Sequence, residues 1–335
     1  MASLLKGRMP QDKPLLVLTG ATGFVGKTLQ GLILDAGFIP RALVRKEIPG
    51  HPHLLSSTQQ VCVNLVPENL AQEQNLSDAL LGAKAVIYCA GSVRGACLED
   101  FLDANQRGLA SIVKRLEALP EPPPLLLFSS IAASRPGISD YAQSKHLGES
   151  VLSASSNIPW TIIRPTAIYG PGDKEMQPLF ELGKHGILPV LGPIDQHISL
   201  LHVDDIGRAA MAWLKAWNNC QHATYTLDDG KEGGYTWPVV GQIILEAVQV
   251  ANKSAPNTIA KVRLVRIPRW LLVVFASINR ACAKLIGYAP MLTPGKVHEL
   301  TQQEWLGDNS GFTKATGWKP GIRLEAGLEA MYSYD

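Results

Sequence analysis

In the stretch SDYAQSK (139–145) a tyrosine and a lysine stand four residues apart among small and polar neighbours. On a helix, positions i and i+4 share one face, so the phenol of Tyr141 and the ammonium of Lys145 can meet. A free tyrosine has a pKa of about 10 and shuttles protons poorly at neutral pH. A nearby ammonium favours the phenolate and lowers that value toward the working range, which would make Tyr141 a general acid or base. The same pair also suits the exposed first turn of an ordinary helix, and the stretch alone leaves both readings open.

A second set lies in TGATGFVGKT (19–28), where Gly20, Gly23 and Gly26 recur every third residue after an apolar run. Glycines so placed permit a tight turn, a close approach of backbone to pyrophosphate and close packing of helix on strand. Gly20, Thr22, Gly23, Phe24 and Val25 are the candidate contacts. The same letters hold a near-match to a P-loop, ending in Gly26-Lys27-Thr28, which would imply an NTP hydrolase. Three features oppose it: Ala21 stands where that motif begins with glycine, the strands ending YCAG and FSSI carry no carboxylate for magnesium, and RALVRK (41–46) puts Arg45 where a dinucleotide fold reads the adenosine ribose. An acid there bonds the 2′-hydroxyl of NAD; an arginine pairs with the 2′-phosphate of NADP. With Lys46 beside it, Arg45 points to NADP, with NAD possible; the alternative is a solvated loop charge.

These residues need a scaffold. Apolar runs at 15–20, 39–44, 61–66, 85–90, 125–130 and 160–165 alternate with helix-length segments at 24–36, 68–82 and 98–119. That rhythm predicts an α/β fold, a Rossmann doubly wound parallel sheet covered on both faces. Residues 1–13 read as a leader and 14–170 as the NAD(P)-binding domain. Residues 171–335 read as a smaller substrate-binding region, with segments near 198–206 and 223–229 returning to the core. Glycine and proline punctuate 170–193. Between Glu246 and Glu299 there is no acid, while Lys253, Lys261, Arg263, Arg266, Arg269, Arg280, Lys284 and Lys296 are interleaved with apolar residues. That stretch suits an amphipathic helix packed on the domain, an interfacial helix at anionic lipid through 261–287, or a lid over an oily substrate.

The 335 residues are 46% hydrophobic and 18% charged, enough for a sizeable core. A net charge of +2 gives no field for nucleic acid, and no nucleic-acid-binding pattern is present. Five cysteines, Cys62, Cys89, Cys97, Cys220 and Cys282, are widely spaced with no CxxC pair. They argue for reduced thiols and against a zinc site or disulfide frame. No run reaches the roughly 18 apolar residues that would cross a bilayer. The expectation is a cytoplasmic protein, with peripheral contact at the inner membrane face as an option.

With TGATGFVG, YAQSK, RPTAIYGPGD (164–173), HVDD (202–205) and the closing TGWKPGIRLEAGL, the chain resembles the extended short-chain dehydrogenase/reductases. That group contains nucleotide-sugar epimerases and dehydratases, and it is similar in flavour to dihydroflavonol reductases and 3β-hydroxysteroid dehydrogenases. The resemblance implies a catalytic Ser130, Tyr141 and Lys145, with Ser129 as a structural alternative bonded to backbone. Ile131 stands where sugar-modifying members place a further hydroxyl. It also implies cofactor contacts from Asn64 and Leu65 (adenine), from Ala90 and Gly91, from Pro165 to Ile168, and from Tyr141 and Lys145. Asn105 would be structural, as would His202 and Asp204, and a homodimer would form on the helices carrying Asn105 and Tyr141.

Nucleotide-sugar members carry an arginine before HVDD that grips a diphosphate; here Ile198 lies there. Together with the oily 267–292 region this favours an apolar small-molecule substrate, sterol- or terpenoid-like. The expected function is an NAD(P)-dependent oxidoreductase interconverting a carbonyl and an alcohol, with no metal. The alternative is a nucleotide-sugar epimerase or dehydratase that retains its cofactor. A scaffold without turnover is opposed by the intact serine, tyrosine and lysine.

Overall fold

The computed structural model describes residues 13–46, 49–251 and 261–333; the leader up to Asp12 and the cation Lys253 lie outside the described residues. Six strands lie close to the expected places: β1 (Leu15–Thr19), β2 (Ile39–Val44), β3 (Gln59–Cys62), β4 (Ala83–Tyr88), β5 (Leu125–Phe128) and β6 (Trp160–Pro165). β3 begins earlier than its apolar letters suggest. Asn64 ends it, because the Asn64 side chain accepts from the N–H of Val66 and turns the chain.

Successive residues of each strand feed opposite faces. Leu16, Leu18, Ala42, Ile87, Leu126 and Ile163 join one core, with Leu29 and Ile33 of helix α1 (Phe24–Asp35). Val17, Leu43, Val86, Leu127 and Ile162 join the other, with Leu76 of α2 (Leu70–Leu80). Two apolar faces per strand explain why the runs are continuous rather than alternating.

The third crossover helix is built in pieces: α3 (Glu99–Leu102), a π-helical turn at Asp103–Arg107, and α4 (Gly108–Glu117). α5 (Asp140–Ser153) packs beside it, and a Cβ on Gly148 would lie 2.1 Å from the carbonyl oxygen of Asn105. A wide turn of this kind re-aims side chains at functional places.

Beyond β6 come β7 (Ala167–Tyr169), α6 (Gln177–Lys184), β8 (Ile187–Val190), β9 (His197–Ile198), β10 (Leu200–His202), α7 (Val203–Ala216) and β11 (Ala223–Leu227). β11 completes a seven-stranded sheet of order β11-β6-β5-β4-β1-β2-β3, parallel throughout. β10 stays outside it, paired with β7, while α7 covers α1 through Ile206, Ala209 and Trp213. A third core gathers Tyr169, Phe180, Leu188 and Tyr235 with α8 (Trp237–Ala251) and α12 (Leu324–Ser333). The remaining elements are β12 (Arg263–Arg266), α9 (Arg269–Ile286), α10 (Pro294–Leu300), β13 (Glu304–Trp305) and α11 (Ser310–Thr316).

Within HVDD, His202 caps α7 by accepting from the Asp204 N–H at 3.3 Å. The fully buried Asp205 carries more: it accepts from the N–H groups of Gly321 and Ile322, each at 2.8 Å, and from Arg208. This one carboxylate ties the HVDD turn to the closing WKPGIR segment. Losing two charge-assisted backbone bonds in a buried place costs about 3 kcal/mol. Asp205→Ala is therefore expected to lower stability by that amount in urea unfolding, with Asp205→Asn recovering part of it. An Ala variant as stable as the parent would show that the carboxylate does not hold the two segments together.

Candidate active site

The chain turns as soon as β1 ends. Gly20 has φ +67°, and a Cβ there would lie 2.8 Å from the backbone of Cys89 and Ala90. A Cβ on Gly26 would meet the Gly20 oxygen at 2.1 Å. Thr19 Oγ1 accepts from the N–H groups of Cys89 (3.1 Å) and Ala90 (3.0 Å), stitching the ends of β1 and β4 together. Gly23 is the N-cap of α1, and no side chain caps that helix. Its first-turn N–H groups and positive dipole end open where the strand order reverses, between β1 and β4. Thr22, Phe24 and Val25 are partly buried around this opening. The bare turn, with no room for a Cβ at two of its glycines, fits a dinucleotide pyrophosphate. The P-loop alternative finds no support, since Lys27 is exposed on α1 and the Thr28 methyl faces Gly207 of α7.

Arg45 and Lys46 follow β2 and are exposed. Asn64 is exposed past β3, its amide engaged with Val66 N–H at 3.0 Å and Gln72 at 3.2 Å, and Leu65 packs on the neighbouring core. Pro165 is buried at the end of β6, and Ile168 packs against the main core. The hydroxyls of Ser129 and Thr166, just past β5 and β6, are buried without a hydrogen-bond partner in the protein. Ser129 thus departs from the expected backbone bond: only its N–H is engaged, donating to Ile163 O at 2.8 Å. Two orphaned hydroxyls at the carboxyl ends of adjacent strands suit a polar group bound over the sheet.

Ser130, Tyr141 and Lys145 converge. Ser139 caps α5 by accepting from the Ala142 N–H at 3.0 Å, which fixes where Tyr141 begins the helix. The Ser130 hydroxyl lies beside the Tyr141 phenol and accepts from the Ala132 N–H at 3.2 Å. Lys145 is buried, donates to the Phe128 carbonyl at 3.2 Å, and its Nζ would touch a Cβ on Gly91 at 3.1 Å. Gly91, next to Ala90, therefore lies directly beside Lys145. Asn105 is structural, as expected: it accepts from Ser92 N–H and donates to Ser144 Oγ at 2.8 Å, locking the loop after β4 to α5.

The electrostatics differ from the expectation. Burial pushes Tyr141 up to about 12, against the lowering effect of the Ser130 bond and with a further upward push from Glu299. Burial takes Lys145 down to about 8, opposed by Cys89 and Glu149. The phenol thus is not drawn into the neutral range, because burial is the largest influence on both groups. What stands ready at pH 7 is a proton-loaded phenol, the form that donates to a carbonyl oxygen.

Several residues escaped the sequence reading. Buried Gln30 donates to Ala21 O and His53 O and accepts from Leu55 N–H and Thr58, so it pins the glycine turn to the loop after β2. Phe101 packs edge-on against Tyr141 with ring centres 6.0 Å apart. Lys296 of α10 lies 5.5 Å from the Tyr141 ring centre and pairs with Glu299 at 2.8 Å, while Glu299 also accepts from Ser139. A cation spaced three residues from an acid is ordinary on a helix, and nothing local marks this pair as reaching a tyrosine about 155 residues away.

The NAD(P)H-binding family model matches residues 20–183. The chain is 30% identical over 309 residues to a ceramide reductase of Caulobacter vibrioides, covering 92% of this chain and 90% of that protein. It is 25% identical to a UDP-glucose 4-epimerase of Vibrio cholerae, covering 96% and 94%. Among solved structures, UDP-glucuronic acid 4-epimerase of Bacillus cereus, in complex with UDP-glucuronic acid and NAD, superposes with a TM-score of 0.68 at 16% identity, covering 96% and 98%. The glycine turn, the Ser-Tyr-Lys convergence and these likenesses agree: the chain belongs to the extended short-chain dehydrogenase/reductase, or NAD-dependent epimerase/dehydratase, family.

Proposed function

We propose that this protein is an NADPH-dependent reductase of a carbonyl on a long-chain apolar lipid of the ceramide class. The observation that carries the chemistry is the Tyr141 phenol beside Ser130, with Lys145 one turn on, beside Gly91. When bound, NAD(P)H supplies the hydride. Tyr141 donates its proton to the carbonyl oxygen, and Ser130 hydrogen-bonds the same oxygen as charge develops on it. Lys145 holds the nicotinamide ribose, and Arg45 the 2′-phosphate. The likeness to a ceramide reductase over nearly the whole chain supports the substrate class, as does Ile198 standing where nucleotide-sugar members place an arginine.

A nucleotide-sugar epimerase that retains NAD is the second reading, favoured by the fold shared with the UDP-glucuronic acid epimerase. A purified protein that carries tightly held NAD and consumes no NADPH with any long-chain ketone would establish that reading instead.

Tyr141→Phe is expected to lower kcat by a factor on the order of 10²–10⁴ with little change in NADPH affinity; equal loss of both would rule out the acid role. Arg45→Ala should weaken NADPH binding by roughly ten- to a hundredfold, the loss of one charge-assisted contact, and leave NADH unaffected. An NADH titration that shifts as much would show that Arg45 does not read the phosphate. For pH, the phenol stays protonated through the neutral range, and Lys145 loses its charge as pH rises through about 8. Reductive kcat/KM, which reports free-enzyme groups, should accordingly be flat below that value and fall above it. A profile rising through pH 8 would contradict the assignment.

A further inference from the structure

Helix α9 has apolar residues on two opposite sides. Leu272, Ala276 and Ala283 are its buried residues, and Leu272 and Ala276 pack with Val297 of α10, Leu191 and Ile267. On the other side Trp270, Val274, Ile278 and Leu285 fall at steps of four, four and seven, which at about 100° per residue form one stripe. Trp270 is 67% exposed, Ile278 56% and Leu285 87%, and Phe275 at 57% and Ile286 at 77% widen the stripe. Exposed apolar residues are normal singly; a continuous row of six with two aromatics marks an interaction surface.

The charge around the row has one sign. Arg269, Arg280 and Lys284 are exposed along one flank of α9, and Lys261, Arg263 and Arg266 are exposed on the strand that leads into it. No acid occurs between Glu246 and Glu299. Among the described residues, none of these six cations is in an ion pair. A second copy seated on the row would set cations against cations, so complementarity favours an anionic partner with an oily interior. No described helix is long and apolar enough to cross a membrane. An apolar row flanked by cations suits a helix lying in the plane of the interface.

We propose that α9 docks this protein on an anionic lipid bilayer, with Trp270, Phe275, Ile278 and Leu285 in the acyl boundary and Arg269, Arg280 and Lys284 at lipid phosphates. The docked helix is one packing layer from the chemistry. Its inner face rests on α10, whose Lys296 covers the Tyr141 ring, and the Pro290 carbonyl just past α9 accepts from Gly95 N–H at 3.1 Å, in the loop that follows Gly91. A long-chain substrate would leave the bilayer beside the site. The docking itself stands on this surface alone and does not need the lipid-substrate reading.

The test is flotation of the full chain with vesicles of equal parts phosphatidylglycerol and phosphatidylcholine, against phosphatidylcholine alone. The protein should float with the anionic vesicles, on the order of tenfold less with neutral ones, and less as salt is added, since salt screens the attraction of surface cations to anionic lipid. The triple variant Phe275→Ser, Ile278→Ser, Leu285→Ser should stay in solution while keeping its thermal midpoint and NADPH affinity. Wild type that stays in solution with both vesicles overturns the proposal, as does flotation untouched by the triple variant. A dimer that the triple variant splits would also overturn it, by assigning the row to a second copy. Flotation without turnover of long-chain ketones would leave the docking in place and remove only the substrate reading.

Discussion

At Gly20 a single added carbon would strike the Cys89 and Ala90 backbone, and at Gly26 it would strike Gly20 itself. This close approach of β1, β4 and α1 is the constraint on which the site rests. The strand order reverses here, so the crevice between β1 and β4 is left open for a ligand. Thr19 fixes how far the two strand ends stand apart, and Gln30 fixes the outer wall through four hydrogen bonds to two loops. With the crevice set, the loop after β4 must pass Gly91, where there is room for Lys145 and Asn105 only because no Cβ intrudes.

The second constraint is desolvation. Tyr141 and Lys145 are both shifted toward their neutral forms, the tyrosine up and the lysine down. A charged pair in such a place needs excellent geometry and further hydrogen bonds to offset the loss of water. Here the lysine spends one donor on the Phe128 carbonyl and leaves the phenol to Ser130, Phe101 and the Lys296–Glu299 pair. A neutral phenol beside a serine is the form that can donate a proton to an oxygen.

What the sequence made legible follows from locality. Five of the strands could be read because each is buried on both faces and is therefore an unbroken apolar run; the glycine turn and SDYAQSK could be read because their spacing is short-range. β3 was misplaced because a side-chain turn at Asn64, not hydropathy, ends it. The π turn at Asp103–Arg107 leaves no mark in composition, yet it brings the Asn105 carbonyl against Gly148. Asp205, Lys296 and Glu299 act across 116 or more residues of chain, and their neighbours along the sequence carry no trace of it. The tyrosine's protonation was misjudged for a related reason: the lysine four residues on is a local fact, whereas burial is a property of the whole packed site.

The acid-free stretch shows how the two halves are coupled. The glycine turn and the ends of β1, β4, β5 and β6 all lie before residue 170. The C-terminal half adds α10 against the start of α5, through Glu299 to Ser139 and Lys296 to Tyr141. α9 packs on α10 through a small cluster centred on Leu272, Ala276 and Val297, with Leu191, Ile267, Val273 and Leu292 around it. One packing layer, α10, thus separates the outer row of α9 from the Tyr141 ring. An oily, cationic outer face and the site of Ser130, Tyr141 and Lys145 are then two sides of one thin layer.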